Sequence, residues 1–72
     1  MKASDLVTID PEILGGTPVF KGTRVPTKTL FDYLADGLSL DYFLESFPSV
    51  SRELAVGVLR NSQRELEHHA AA

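Results

Sequence analysis

The spacing of apolar residues changes about one third of the way along the chain. Residues 6–9 are rich in β-branched side chains and alternate weakly, and a second short apolar run at residues 18–20 follows a turn-forming stretch. From residue 27 onward, apolar residues recur every three or four positions, which is the period of an α-helix. The pattern therefore predicts two short strands in a hairpin-like N-terminal arm, followed by helices.

Three helices are predicted in the remaining two thirds, over residues 27–36, 39–46 and 51–65. Gly37 ends the first, Ser39 caps the second, and Ser49 or Ser51 caps the third after Pro48. The apolar residues on their inner faces are expected to form the core, namely Leu30, Leu34, Phe43, Leu44, Phe47, Leu54, Val58 and Leu59.

The arm is expected to lie against a second copy of the chain. A two-stranded ribbon is marginally stable by itself, and Pro18 and Pro26 confine its strands to edges because proline cannot donate to a ladder. A chain of 72 residues also buries comparatively little surface, so association would help it fold. We therefore expect a homodimer whose interface contains the exposed apolar residues of the arm, Val7, Ile9, Val19 and Phe20.

Composition narrows the classes of protein that remain. The chain has no cysteine, which excludes disulfides and thiolate metal sites. No apolar run is long enough to span a bilayer and the N-terminus lacks a signal-peptide stretch, so we expect a cytoplasmic protein without a membrane partner. Residues 1–65 form one predicted domain. Residues 66–72, which hold both histidines, are typical of an expression-tag remnant, with a native alanine-rich tail as the alternative.

The acidic residues do not form a recognisable active site. Asp32 and Asp36 are one helical turn apart, as are Asp41 and Glu45, but each pair lies opposite an apolar stripe, where charges are normally solvated. Without a cysteine, a usable histidine or a serine beside a base, no nucleophile is activated. We therefore expect no enzymatic activity, no metal and no cofactor.

Basic residues are few but locally grouped. The net charge of −3 argues against a surface that binds nucleic acid non-specifically. Lys21, Arg24 and Lys28 are the densest basic cluster and could contact phosphates or an acidic partner. The alternative is a solvated edge on which Arg24 bonds a helix C-terminus, Asp32 or Asp36.

The last two predicted helices, joined by residues 47–50, have the dimensions of a helix-turn-helix. The third helix would then enter the major groove, and a two-fold dimer would require a palindromic site. The alternative is an exposed face of an ordinary three-helix bundle. The residues placed to meet base edges are Ser49, Ser51, Arg52, Val56 and Arg60.

Three motifs carry a resemblance to a known family. A block of the form GG-x-P-x-h-x-G-T-R-h-P, where h is apolar, spans residues 15–26. A Gly-Leu-Ser sequence follows the first predicted helix, and an aromatic-Pro-x-apolar-Ser turn precedes the third. In these motifs the chain resembles the bacterial domain-of-unknown-function 433 family over about residues 7–65.

This resemblance implies a helix-turn-helix-class fold with a short β arm, in a family grouped with VapB-like antitoxins that neutralise PIN-type ribonuclease toxins. The expected protein is thus an α+β domain, mostly α, with a three-helix helix-turn-helix-like bundle behind an N-terminal β arm. Its expected function is that of an antitoxin that binds its own operator DNA and a PIN-type toxin. The alternative is a dimeric protein–protein interaction module without DNA affinity.

Overall fold

The arm and the helices follow one another in the predicted order. A computed structural model describes residues 2–70; the last two residues of the expected tag remnant lie outside this range. The α+β, mostly α class is confirmed. In chain order the elements are α1 (Ala3–Leu6), β1 (Val7–Thr8), a 3-10 turn (Leu14–Gly16), β2 (Val19–Phe20), α2 (Thr27–Ala35), α3 (Leu40–Ser46) and α4 (Arg52–Ala70).

The helix starts that were predicted from serines are confirmed. The Ser39 hydroxyl accepts a hydrogen bond of 3.0 Å from the Tyr42 N–H at the start of α3. The Ser51 hydroxyl accepts one of 3.1 Å from the Leu54 N–H at the start of α4. Both bonds satisfy an N–H group that has no partner within its own helix. At its other end α4 is longer than predicted and continues to Ala70.

Gly37 ends α2, as its position predicts. Its φ of 86° lies in the left-handed region, which glycine adopts at little cost. The Gly37 N–H donates to the Leu34 carbonyl and the Leu38 N–H donates to the Tyr33 carbonyl, both at 3.0 Å. This pair of bonds is a Schellman motif, and it turns the chain sharply from α2 into α3.

The predicted hairpin-like arm is present. β1 and β2 are antiparallel, with Val7 opposite Phe20 and Thr8 opposite Val19. On its other side β2 meets the segment before α2, where Val19 forms a bridge with Pro26. The short helix α1, which the sequence pattern did not predict, precedes β1.

The arm is folded back onto the helices of its own chain. Val19 and Phe20 have no exposed surface, so the expectation that they are exposed for a partner is wrong. The reason is that the Phe20 ring packs on Phe43 of α3, with ring centroids 5.9 Å apart. Leu6, just before β1, is also buried in the same core.

The core therefore combines the helices and the arm. Of the eight predicted core residues, Leu30, Phe43 and Val58 are buried, and the other five are half-buried against them. The difference arises because the arm contributes apolar side chains that helical periodicity alone does not assign to the core. The buried set also includes Leu6, Val19, Phe20, Val50 and Ala55.

Within residues 2–70, none of the helices combines the length and the apolar character needed to cross a lipid bilayer.

Two leucines allow a matched test of this core. Leu30 has no exposed surface, whereas Leu38 is 41% exposed. We predict that Leu30→Ala lowers the free energy of unfolding by about 2 to 5 kcal/mol, because it leaves a cavity among close-packed side chains. Leu38→Ala should cost clearly less than Leu30→Ala, since the Leu38 side chain is only partly buried and its removal leaves no enclosed cavity. Chemical denaturation followed by circular dichroism measures both, and equal losses would contradict the assignment of the core.

Candidate nucleic-acid interface

The outer side of α4 carries three of the five predicted base-reading residues. Arg52, Val56 and Arg60 follow one another at intervals of four, so they lie along one side of the helix. Ala55 and Val58, on the other side, are buried in the core. Arg52 and Arg60 are exposed and Val56 is half-buried. The structure thus brings these three residues together on an accessible surface.

A groove runs along the same side of α4 and has a volume of about 270 Å³. Glu53, Val56, Arg60 and Arg64 from α4 line it together with Leu6 and Gly57. Arg64 was not among the predicted residues, although its position one turn beyond Arg60 is a signal that could have identified it. We call the lining residues Leu6, Glu53, Val56, Gly57, Arg60 and Arg64 the α4 groove.

Gly57 determines the shape of the α4 groove. A Cβ atom at this position would lie 2.6 Å from Cδ2 of Leu6, closer than two carbon atoms can approach. Glycine therefore allows the Leu6 side chain to reach the surface of α4, and Leu6 is buried there. This contact is the reason that α1 can lie across α4.

The two arginines of the α4 groove are available to a ligand. Arg60 and Arg64 are exposed and form no hydrogen bond or ion pair with other residues in the described range 2–70. Glu53 adds one negative charge near the first turn of the helix, where the helix dipole favours it. The groove therefore combines an apolar floor, one carboxylate and two guanidinium groups that have no partner in the described part of the chain.

At the start of α4, two polar side chains already have partners within the chain. The Arg52 guanidinium pairs with the carboxylate of Asp41 in α3, and the Ser51 hydroxyl is engaged as the helix cap. Ser49 is exposed in the turn before α4. Two of the five predicted base-reading residues therefore already have partners within the chain.

The predicted basic cluster is divided among different partners. The Lys21 ammonium donates to the Ser4 carbonyl at 3.1 Å, and Lys28 pairs with Asp32 at 2.7 Å. Arg24 is exposed and, within the described part of the chain, does not form the bond to Asp32 or Asp36 that was the alternative to a phosphate contact. In the range 2–70 no three acidic or histidine side chains are grouped as metal ligands.

The structure is that of a small, mostly α domain with a short β arm and two exposed arginines, Arg60 and Arg64, on its last helix. The chain belongs to the family described as "Protein of unknown function (DUF433)", whose model matches residues 7–60. The resemblance that the sequence motifs indicated is thereby confirmed.

Two relatives extend this assignment. The chain is 47% identical over 51 residues to "Uncharacterized protein y4eO" of Sinorhizobium fredii (strain NBRC 101917 / NGR234). That match covers 71% of this chain but only 23% of the relative, so the chain spans about a quarter of the relative's length. A crystal structure of a DUF433 member protein from Anabaena variabilis ATCC 29413 is similar with a TM-score of 0.73 and 23% identity. It covers 89% of this chain and 63% of that chain, and it supports the fold alone.

The close approach of Leu6 to Gly57 can be tested by a double-mutant cycle. Replacing an exposed helical glycine by alanine normally stabilises a helix by about 1 kcal/mol. In the natural chain we predict that Gly57→Ala does not produce this gain, because the new methyl group displaces Leu6. In a Leu6→Ala background the gain should appear, giving a coupling energy of about 0.5 to 3 kcal/mol. Additive effects in thermal unfolding would contradict the contact.

Proposed function

We propose that this domain is the DNA-binding antitoxin component of a bacterial toxin–antitoxin pair, with no catalytic activity of its own. It contacts operator DNA through the outer side of α4 and also binds a PIN-type ribonuclease toxin. The observation that carries the DNA-binding part is the position of Arg60 and Arg64, which are exposed, unpaired among residues 2–70 and next to one another on a helix that follows a short turn. Arginine is the side chain that most often reads guanine in the major groove.

Arg52 can join this surface at little energetic cost. Its ion pair with Asp41 is solvent-exposed, with 60% of the arginine side chain and 75% of the aspartate side chain accessible. Exposed pairs of this kind contribute about 0 to 1 kcal/mol, so a DNA phosphate can compete with Asp41 for the guanidinium. Arg52, Val56 and Arg60 would then contact successive positions along one groove.

The toxin part of the proposal rests on the family resemblance together with charge. The resemblance implies a toxin with an acidic active site. Arg60 and Arg64, which have no partner among residues 2–70, offer two positive charges to such a site. DNA and toxin would then compete for the same side of α4. Competition of this kind would connect toxin binding to release of the operator.

A second candidate function is a protein–protein interaction module without DNA affinity. The observation in its favour is the occupied start of α4, where Arg52 and Ser51 already have partners. The net charge of −3 also means that the rest of the protein surface, apart from the arginines of α4, repels DNA. Salt dependence separates the two candidates, because phosphate contacts weaken steeply with salt whereas an apolar protein interface does not.

Charge changes of opposite sign on the α4 groove test the DNA proposal. We predict that Arg60→Ala weakens binding to the protein's own promoter by about 1 to 3 kcal/mol, because a base contact is lost. Glu53→Gln should strengthen binding, since it removes a carboxylate from the same surface. Mobility-shift titrations at a low and a physiological salt concentration measure both effects.

Arg24→Ala is the matched control, because Arg24 is an exposed arginine away from α4. A phosphate contact there would affect promoter and unrelated DNA equally, whereas Arg60→Ala should reduce the preference for the promoter. Absence of any mobility shift for the natural chain, or identical affinities for the Arg60→Ala and Glu53→Gln variants, would favour the interaction module instead.

A further inference from the structure

A second groove lies where the arm meets α2 and α4, and it has a volume of about 440 Å³. Its apolar lining comes from five parts of the fold, and the polar residues around it, such as Thr27 and Asn61, are uncharged. No lysine, arginine, aspartate or glutamate lines it. We call it the arm groove, and its apolar lining residues are Ala3, Val7, Ile9, Pro18, Phe31 and Val58.

The arm groove exposes apolar surface on both sides. Ile9 is 68% exposed and Phe31 is 37% exposed, while Val7, the first residue of β1, is half-buried. An exposed isoleucine therefore lies directly beside an apolar depression. Under two-fold symmetry the same patch of both copies meets, so a surface with both a protruding apolar side chain and a depression allows each side chain to enter the other copy's depression.

The edge of β1 beside the arm groove is open. In the register of the two strands, Leu6 lies opposite Lys21, and the Lys21 N–H donates to the Leu6 carbonyl. Hydrogen-bonded and non-hydrogen-bonded pairs alternate along an antiparallel ladder, so Thr8 and Val19, two residues further along, are again a hydrogen-bonded pair. The backbone groups of Val7 and Ile9 consequently point away from β2. The Val7 N–H donates to the Ala3 carbonyl, whereas the Ile9 N–H has no partner among residues 2–70.

We infer that a second copy of this chain binds here, with β1 pairing antiparallel to β1 of the other copy about a two-fold axis at Thr8. In this arrangement the Ile9 N–H donates to the Val7 carbonyl of the other copy, and each Ile9 side chain lies beside the other copy's Val7 in its arm groove. Two two-stranded ribbons become one four-stranded sheet, which removes the open edges.

The chemistry of the arm groove favours a second copy over an anionic partner. Homodimer interfaces are more apolar than other protein surfaces, and their centres are depleted in charged residues. The lining has this composition, and the α4 groove, with its two arginines, does not. The small size of the chain adds a reason for association, because a short domain buries a smaller fraction of its surface.

This pairing has a consequence for DNA contacts. Val58 and Asn61 of α4 line the arm groove, while Arg60 lies on the far side of the same helix. Pairing through the arm groove therefore leaves both arginine surfaces exposed and directs them away from one another. Each copy would contact its own DNA segment, in place of the single palindrome that symmetry alone suggests. The pairing itself does not depend on DNA binding.

The first test compares two apolar-to-acidic changes on exposed residues. Ile9→Asp places a charge in the proposed interface, and Leu38→Asp places the same charge on an exposed leucine outside the arm groove. Sedimentation equilibrium should give a dimer for the natural chain and for Leu38→Asp. For Ile9→Asp it should give at least a tenfold weaker association, with an unchanged circular dichroism spectrum. A monomeric natural chain at high micromolar concentration would overturn the inference, as would equal association of both variants.

The second test uses the absence of cysteine from the chain. Opposed residues of a non-hydrogen-bonded antiparallel pair have Cα atoms about 4.5 Å apart, which suits a disulfide. Thr8→Cys should therefore form a covalent dimer rapidly under mild oxidation, whereas Ser49→Cys, exposed in the turn before α4, should not. A dimer that cross-links equally through both positions, or not through Thr8→Cys, would contradict this register and the proposed interface.

Discussion

The packing of aromatic rings around Phe43 is the interaction on which the rest of the fold depends. Phe43 is fully buried in α3, and its ring lies within 6 Å of three others: 5.9 Å from Phe20 in β2, 5.5 Å from Tyr33 in α2 and 5.1 Å from Phe47 after α3. One side chain thus joins the arm, two helices and the turn that leads to α4. Loss of these contacts would weaken the packing of the arm, α2, α3 and this turn together, in a domain of small total stability.

A second contact connects this core to the surface of α4. Leu6 reaches α4 because Gly57 has no side chain, and Leu6 and Phe20 lie near each other through the bond between the Lys21 N–H and the Leu6 carbonyl. Packing of the arm therefore positions the floor of the α4 groove. The arginines on that groove are consequently oriented by the same contacts that stabilise the domain, and a change in the arm would be felt at the candidate interface.

The three helices after the arm were predictable from sequence because the signals for them are local. Ser39 and Ser51 form their caps and Gly37 ends α2, each through neighbours within five residues along the chain. The surface on which the arm packs was not predictable in the same way. Apolar residues in a strand indicate that the strand is buried, but they do not indicate whether it packs on the helices of its own chain or on a second copy. In the structure Val19 and Phe20 are buried within their own chain, whereas Ile9 is exposed.

The candidate site was predictable to the same extent. Helical periodicity correctly placed Arg52, Val56 and Arg60 on one side of α4, since that requires only the helix itself. The ion pair between Arg52 and Asp41 joins residues eleven positions apart on different helices, so it depends on how α3 packs and could not be inferred from spacing. The floor of the α4 groove likewise depends on a contact between chain segments about fifty residues apart.

The two sides of α4 differ in chemistry in a way that suits two simultaneous contacts. One side carries arginines over a small apolar floor, and the other closes the core and ends in the uncharged arm groove. A ligand that requires positive charge has no arginine or lysine to bind in the arm groove. An apolar partner would meet charged residues at the α4 groove. Ala55 and Val58, which are buried in the core, fix the position of the helix that carries both surfaces. The proposed pairing through the arm would therefore leave the arginines uncovered.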